Sequence, residues 1–147
     1  MLWSVSADNI GAVIASGAID HLVGDSDGRF QAKPFINFWH MLVLSGFGCV
    51  VLATEDNGET ISGAMGMVIA PDPNNGVMAC NLGFWSVDRD ASFRIPIAMF
   101  RLFEKWGEQN GAKKLRPAKC LETIKDMDGF FLRQGYRVEE VRYVKDI

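Results

Sequence analysis

The sequence contains no uninterrupted apolar run of about 18 residues, the length needed by a membrane-spanning helix. It also contains no run of five or more basic residues, so no patch for an anionic membrane surface is indicated. Its 15 Lys and Arg are outnumbered by 18 Asp and Glu, which gives a net charge of −3 and a pI near 5.3. We therefore expect neither a membrane span nor a nucleic-acid partner, which would require a basic face.

Cysteine and histidine are also scarce. The three cysteines, Cys49, Cys80 and Cys120, are odd in number and form no C-x-x-C pair, and neither His21 nor His40 lies near one of them. A zinc site needs clustered ligands, so we predict no metal site. Free thiols, together with an N-terminus that lacks a charged leader before an apolar block, predict a cytoplasmic protein.

What remains is an ordinary globular composition. The 147 residues are 48% hydrophobic and 22% charged, which is too apolar for a disordered chain and sufficient for a core without disulfides. No internal repeat or linker is evident. The sequence therefore predicts one domain over residues 1–147.

The hydrophobic pattern alternates between the periods of helix and strand. Helical spacing begins near Ser6 and continues to Gly24, resumes after Pro34, returns after Ser92 and covers residues 122–134. Strands are predicted over residues 2–5, 49–54, 61–70, 77–87, 114–118 and 136–144. The three central strands are joined by short turns and are expected to be antiparallel. The element order β-α-α-β-β-β-α-β-α-β predicts a mixed α/β domain.

Two stretches carry a resemblance to a known family. The strand ending in residues 82–88 (LGFWSVD) is followed by an amphipathic helix ending in residues 103–112 (FEKWGEQNGA). Residues 129–136 (GFFLRQGY) place two aromatics, three residues, a glycine and a third aromatic in series. Both stretches, and the element order, resemble the GNAT superfamily, the Gcn5-related N-acetyltransferases. The resemblance implies a mostly antiparallel mixed sheet flanked by helices.

The resemblance also implies a site. In this family acetyl-CoA lies where two neighbouring parallel strands part, here residues 77–87 and 114–118. The pantetheine arm then pairs with exposed backbone of the first strand, and the diphosphate lies at the start of the next helix, where free N–H groups attract anions. By this resemblance the candidate cofactor-binding residues are Trp85, Val87, Arg89, Arg94 and Ala98. The acceptor implied is an amine of a small molecule or a protein.

The sequence departs from the family's diphosphate loop. That loop carries glycines because side chains would keep phosphate from the backbone, yet no glycine occurs between Gly83 and Gly107. In the matching residues 92–98, Phe93 stands at the family's Gln or Arg position and Pro96 at its first glycine. Proline also lacks the N–H that a phosphate would accept from.

Catalytic groups of the family are replaced as well. Phe131 stands where the family often has a tyrosine acid, and a phenyl ring carries no ionisable proton. The central strand has Asn81 and no acidic residue before Asp88. Asn81 could bind substrate or order a water, although it is no base. His40 could act as a base or simply pack beside Trp39. Asn81 and His40 are the candidate catalytic residues.

Two functions remain open at this point. The first is an acetyl-CoA-dependent N-acyltransferase. The second is a GNAT-fold protein that has lost catalysis and acts through contacts with other protein chains, such as a virion or assembly protein, since the sequence most resembles short GNAT-like proteins of bacteriophages. Arg89 and Arg94 are read either as phosphate contacts or as a solvated surface. Phe84 and Trp85 are read either as pocket lining or as core, because neighbouring strand residues face opposite sides.

Overall fold

The computed structural model describes residues 1–15, 31–55, 60–118 and 127–140, together with residues 143, 145 and 147. The strands are β1 (Leu2–Val5), β2 (Gly48–Thr54), β3 (Ile61–Pro71), β4 (Met78–Val87) and β5 (Lys114–Arg116). The helices are α1 (Ile10–Ala15), α2 (Ala32–Leu44), α3 (Arg94–Gln109) and α4 (Met127–Arg133). The order of these elements confirms the predicted mixed α/β class.

One five-stranded sheet carries the fold, with its strands in the order β1-β2-β3-β4-β5. The first four strands are antiparallel neighbours, and only β4 and β5 run parallel. Antiparallel neighbours can be joined by short turns, whereas the parallel pair needs a crossover, which here contains α3. Asn57 and Gly58 form an Asn-Gly pair, which predicts a tight hairpin turn between β2 and β3. Both residues lie outside the described residues.

The sheet is covered on both faces. Its α3 face carries a buried cluster that joins β2, β3 and β4 to α3 and α4 and has Phe103 fully buried among its members. The opposite face packs α1 and α2 on β1, β2 and β3 around Trp39. Because both faces are covered, β2 and β3 read as nearly continuous apolar runs.

A β-bulge interrupts β4. Gly66 of β3 pairs with Phe84 and Met67 pairs with Leu82, so Gly83 is the additional residue. The extra residue shifts the alternation of side chains. Leu82 and Trp85 therefore both face α3, while Phe84 faces α2. Trp85 thus belongs to the core on one side of the sheet, and the partly buried Phe84 packs against the core on the other.

The glycines beside this bulge allow a close approach. A Cβ atom on Gly66 would lie 2.5 Å from Cη2 of Trp39, and one on Gly83 would lie 2.8 Å from the same atom. The Trp39 ring also meets Phe84 edge-on at 5.1 Å between centroids. The space beside both glycines is thus filled by the Trp39 side chain of this chain.

The structure corrects two of the predicted strands. β5 ends at Arg116 rather than residue 118, because Pro117 has no N–H for the ladder. The final strand predicted over residues 136–144 is wrong for residues 136–140, which form no strand. Tyr136 and Glu139 hold that segment instead by side-chain contacts to α3 and β5. The second half of the first predicted helix, and residues 122–126 of the last, lie outside the described residues.

An ion cluster closes the paired end of β4 and β5. Asp72, in the turn before β4, is buried and bonds to Arg116 of β5. Arg116 Nε also donates to Glu139 Oε2 at 2.6 Å, and Lys114 Nζ lies 3.5 Å from both Asp72 and Glu139. The bond from Arg116, followed by one from the Asn74 backbone, lowers the pKa of Asp72 from 3.8 to about 2.

This cluster predicts an acid dependence of stability. A carboxyl whose pKa falls on folding stabilises the fold above its unfolded pKa, and that stabilisation is lost as the pH falls through the folded value. We expect the contribution of Asp72 to be full above pH about 4 and lost by pH about 2. Urea unfolding between pH 7 and 2 should show Asp72→Asn to be destabilised at pH 7 and less pH-dependent below pH 4. Asp8→Asn, at an exposed aspartate, is the control, and equal acid profiles for Asp72→Asn and the parent would refute the assignment.

Candidate functional site

The unpaired part of β4 is the central feature of the site. β4 pairs with β5 only at Ala79, Cys80 and Asn81, opposite Lys114, Leu115 and Arg116. Residues 82–87, called here the open half of β4, continue beyond that pairing while remaining bonded to β3 on the other side. Alternate backbone groups of a strand point to each side. The open half therefore presents main-chain donors and acceptors that β5 does not use.

Side chains beneath the open half form an aromatic cluster. It consists of Trp85, Phe100, Phe103, Phe130, Phe131 and Tyr136. Trp85 lies 6.4 Å from Phe100 and 6.3 Å from Phe131 between ring centroids. These contacts bring β4, α3 and α4 together. The cluster forms because the bulge at Gly83 turns Trp85 to the same face as α3.

One polar atom in this cluster has no partner. Trp85 is 8% exposed, and its indole Nε1 is buried without a hydrogen bond among the described residues. A buried donor left unsatisfied costs about 1–3 kcal/mol. Such groups are rare in folded proteins and therefore need an explanation.

The start of α3 uses most of its own amides. The carbonyl of Ser92 accepts from Ile95 N–H at 2.9 Å, and Ser92 Oγ accepts from Arg94 N–H at 3.4 Å. Pro96 has no N–H. The amide of Ser92, just before the helix, is bonded as well. It donates to Glu55 Oε1 at 2.9 Å. A carboxylate of this chain thus lies where the resemblance places a diphosphate.

The predicted cofactor-binding residues follow β4 into α3. Trp85 and Val87 lie on the open half, with side chains packed on the α3 face. Arg89 follows β4 and Arg94 begins α3, and both are exposed. Ala98, one turn further along α3, is partly buried. The fold therefore places these five residues along one path from β4 to the first turns of α3.

The two predicted catalytic residues, Asn81 and His40, lie on different elements, β4 and α2. Asn81 is the last residue of β4 that pairs with β5, and its Nδ2 donates to the Ala79 carbonyl at 3.5 Å. By strand alternation its side chain faces α2, since Cys80 and Leu82 face α3. His40 is on α2 beside the buried Trp39, but its own side chain is exposed.

Tyr136 does not replace the missing tyrosine acid. Its hydroxyl donates to Glu104 Oε1 of α3 at 2.9 Å. Burial raises the pKa of Tyr136, and the bond to the Glu104 carboxylate raises it further. The hydroxyl therefore holds the C-terminal segment to α3 and is a weaker acid than a free tyrosine. Phe131 meets the Tyr136 ring at 5.9 Å and contributes only apolar surface.

Thiol and metal chemistry find little support here. Cys49 and Cys80 are free, and burial raises the pKa of the first to about 11 and of the second to about 12. Both remain protonated at neutral pH and are poor nucleophiles. Cys120 lies outside the described residues. Among the residues that the structure describes, no group of three or more His, Cys, Asp or Glu could hold a metal ion. No helix in the same part of the chain could cross a membrane.

Three features of the site were not predicted from the sequence. Glu55 is 37 residues from Ser92 along the chain, and no local pattern joins them. The Glu104–Tyr136 bond spans 32 residues and depends on the packing of the C-terminal segment on α3. The unpartnered Trp85 Nε1 follows from the bulge, for which the only signal was a glycine within a strand pattern.

Comparison with known proteins identifies the fold. No protein-family model matches the sequence, and no curated protein is significantly similar to it. Solved acetyltransferase structures match it closely in shape. An aminoglycoside acetyltransferase from an uncultured soil metagenomic sample superposes with a TM-score of 0.72 and 13% identity, covering 100% of this chain and 97% of that one.

Two further structures agree. Glucosamine-6-phosphate N-acetyltransferase from Arabidopsis thaliana gives a TM-score of 0.68 and 10% identity, over 99% of this chain and 97% of that one. Ribosomal-protein-alanine N-acetyltransferase from Brucella melitensis biovar Abortus 2308 gives 0.63 and 14%, over 100% and 99%. The similarity covers essentially the whole described architecture. This chain has the fold of the GNAT acetyltransferases.

Proposed function

We propose that this protein is an acetyl-CoA-dependent N-acyltransferase whose acceptor is an amine. The observation that supports this most directly is the open half of β4, which extends past the last residue paired with β5. An extended ligand can add to such an edge as a strand would, through main-chain hydrogen bonds. The pantetheine arm of acetyl-CoA is extended and carries amide groups suited to that edge.

The residues fit the two ends of acetyl-CoA unequally. The open half of β4 and the apolar surface around Trp85 suit the pantetheine arm. The start of α3 offers few free amides, so Arg89 and Arg94 would hold the diphosphate through charge-assisted hydrogen bonds. Both guanidiniums are exposed and adjacent to that turn.

In acyl transfer from acetyl-CoA to an amine, the main task of this chain would be to position the two reactants. Bound acetyl-CoA would supply the acyl group: a bond would form between the amine nitrogen and the acyl carbon, the C–S bond would break, the amine would give up one proton to water, and the departing thiolate would take one. Asn81 would orient the acceptor or a water at the point where β4 and β5 part, since an amide side chain both donates and accepts. With Phe131 at the tyrosine position, the proton comes from water, and holding two reactants together provides the main acceleration.

Calorimetric titration with acetyl-CoA tests the proposal. We expect a dissociation constant below about 1 mM, equivalent to more than about 4 kcal/mol of binding. Thiol release from acetyl-CoA in the presence of a panel of primary amines then measures transfer. Binding weaker than about 1 mM, or binding with no amine-dependent thiol release, would overturn the enzymatic proposal.

The start of α3 also favours a second function. Pro96 removes one amide, Ser92 uses two others, and the Glu55 carboxylate lies against a further one. These features, with Phe131 in place of tyrosine, suit a GNAT-fold protein that has lost catalysis and acts in assembly, for example in a phage particle. Such a protein should fail to bind acetyl-CoA and should bury well over about 1,000 Å² against other chains. A monomer that turns over any amine contradicts it.

Glu55 supplies a specific prediction for acetyl-CoA binding. Its carboxylate contacts the Ser92 amide, so it repels a diphosphate approaching that turn. Glu55→Gln keeps an oxygen acceptor and removes the charge. We expect acetyl-CoA to bind about 2- to 5-fold more tightly, because exposed charges are well screened, and the gain should shrink in high salt. Calorimetry at two salt concentrations measures it.

The matched control is Glu108→Gln, which removes the same charge from an exposed position near the other end of α3. It should change the affinity by much less. Equal effects of the two substitutions would indicate a general charge effect and would contradict a local role for Glu55.

A further inference from the structure

We propose that the indole N–H of Trp85 is a hydrogen-bond donor to a carbonyl group of the acyl-pantetheine arm, a proposal that rests on the acyltransferase function above. Trp85 is the only residue with a buried, unpartnered side-chain polar atom among the described residues. It lies on the open half of β4, four residues past the end of the pairing between β4 and β5. A donor without a partner therefore coincides with an edge that no described strand pairs with.

The surroundings of the indole select a neutral acceptor. The rings of Phe100 and Phe131 lie 6.4 Å and 6.3 Å from that of Trp85. A phosphate or carboxylate in these surroundings would lose its hydration without a compensating charge. An amide or thioester carbonyl loses far less hydration, and the indole offers it one donor. The ligand chemistry is thus a carbonyl rather than an anion.

The proposal places Phe131, whose ring lies 6.3 Å from that of Trp85, on the route to the indole. Nε1 is covered in this structure, while Phe131 is only partly buried and belongs to the short helix α4. A turn of the Phe131 ring about its side-chain bonds would uncover Trp85 with β4 in place. The residue at the position of the family's tyrosine would then act as a movable cover, and ligand binding should change the environments of both rings.

The test is NMR of the indole N–H groups in the complete protein. The chain has four tryptophans, so the spectrum is simple. The Trp85 signal is assigned through NOEs to Phe100 and Phe131 and checked with Trp85→Phe. Without ligand, we expect the upfield shift of an indole N–H that has no acceptor. A shift typical of a hydrogen-bonded indole in the free protein would overturn the proposal.

Titrations with acetyl-CoA and with CoA distinguish the two possible carbonyls. A downfield shift of the Trp85 signal with acetyl-CoA alone assigns the bond to the thioester carbonyl, and a shift with both ligands assigns it to a pantetheine amide. If other signals report saturation by acetyl-CoA while the Trp85 indole stays unchanged, this inference fails and the proposed function stands. If no signal moves at millimolar acetyl-CoA, both fail.

Affinity gives an independent readout. Trp85→Phe keeps an aromatic ring and removes the donor, so we expect acetyl-CoA to bind about 3- to 10-fold more weakly, as for the loss of one hydrogen bond. The control is Trp106→Phe, which removes the same donor from a partly buried indole elsewhere on α3. The neighbouring residue, Gly107, lies against Cys80 in the paired part of β4. Loss of affinity in Trp106→Phe alone, or equal losses in both, would overturn the proposal.

Discussion

Trp39→Ala is expected to lower the free energy of unfolding by about 3–5 kcal/mol, a large share of the roughly 5–15 kcal/mol that stabilises a domain. Trp39 is 3% exposed. Its ring joins α2 to the sheet and contacts Phe35 and Phe84. Alanine would leave a cavity that the rigid sheet cannot close. Urea unfolding followed by circular dichroism measures the loss, and a change below about 1 kcal/mol would contradict this packing.

A double-mutant cycle makes the same prediction specific. In the parent, Gly83→Ala should cost about 1–3 kcal/mol, because its Cβ would lie 2.8 Å from two atoms of the Trp39 ring. In the Trp39→Ala background the same methyl enters the cavity, so its cost should vanish or change sign. Residues in contact couple in this way, and independent ones do not. Additive effects would show that Trp39 does not limit the space at Gly83.

Gly107→Ala is the second substitution with a large expected effect. Alanine normally stabilises a helix interior by about 1 kcal/mol relative to glycine. At Gly107 a Cβ would lie 2.9 Å from Cys80 Cβ and 2.5 Å from Leu115 Cδ2. The methyl would therefore push α3 away from the paired part of β4 and β5. We expect a net loss of about 1–3 kcal/mol, measured by thermal or urea unfolding.

Gly11→Ala is the matched control for Gly107→Ala. Gly11 is also helical, and its Cβ would meet only Ile36 Cγ2 at 3.8 Å, an ordinary contact. It should therefore be neutral or slightly stabilising. If Gly107→Ala stabilises the protein, α3 does not pack closely on β4 and β5 at this position.

The same substitution should affect acetyl-CoA binding. Since α3 also carries Arg94 and Ala98, displacing it should weaken that binding, whereas Gly11→Ala should leave it unchanged.

The proposals about the site depend on different observations. The Glu55 carboxylate is expected to repel the diphosphate of acetyl-CoA, and the Trp85 indole is proposed to donate to a carbonyl of the acyl-pantetheine arm. If acetyl-CoA binds, Glu55→Gln and Trp85→Phe should change its affinity in opposite directions. The fold matches acetyltransferases that differ in their named acceptors. The proposed amine acceptor must therefore be found by assay.

The sequence by itself determined the kind of each helix and strand that the structure describes. Apolar spacing on α3 and β-branched runs on β2 are local signals, since they need only the periods of helix and strand. The end of β5 before Pro117 is also a local signal, because proline lacks an N–H, and the strand was nevertheless predicted two residues too long. The missing glycines before α3 could likewise be read directly from the sequence.

Only the tertiary structure decided which groups meet. Register shifts at the Gly83 bulge turned Trp85 toward α3, and packing across the sheet placed Glu55 against Ser92 and Tyr136 against Glu104. The C-terminal segment was predicted as a strand from its alternation, yet over residues 136–140 side-chain contacts hold it instead. The physical reason is common to these cases: a repeat of two or 3.6 residues is set by neighbouring bonds, whereas contacts between residues far apart in the chain depend on how complete elements pack.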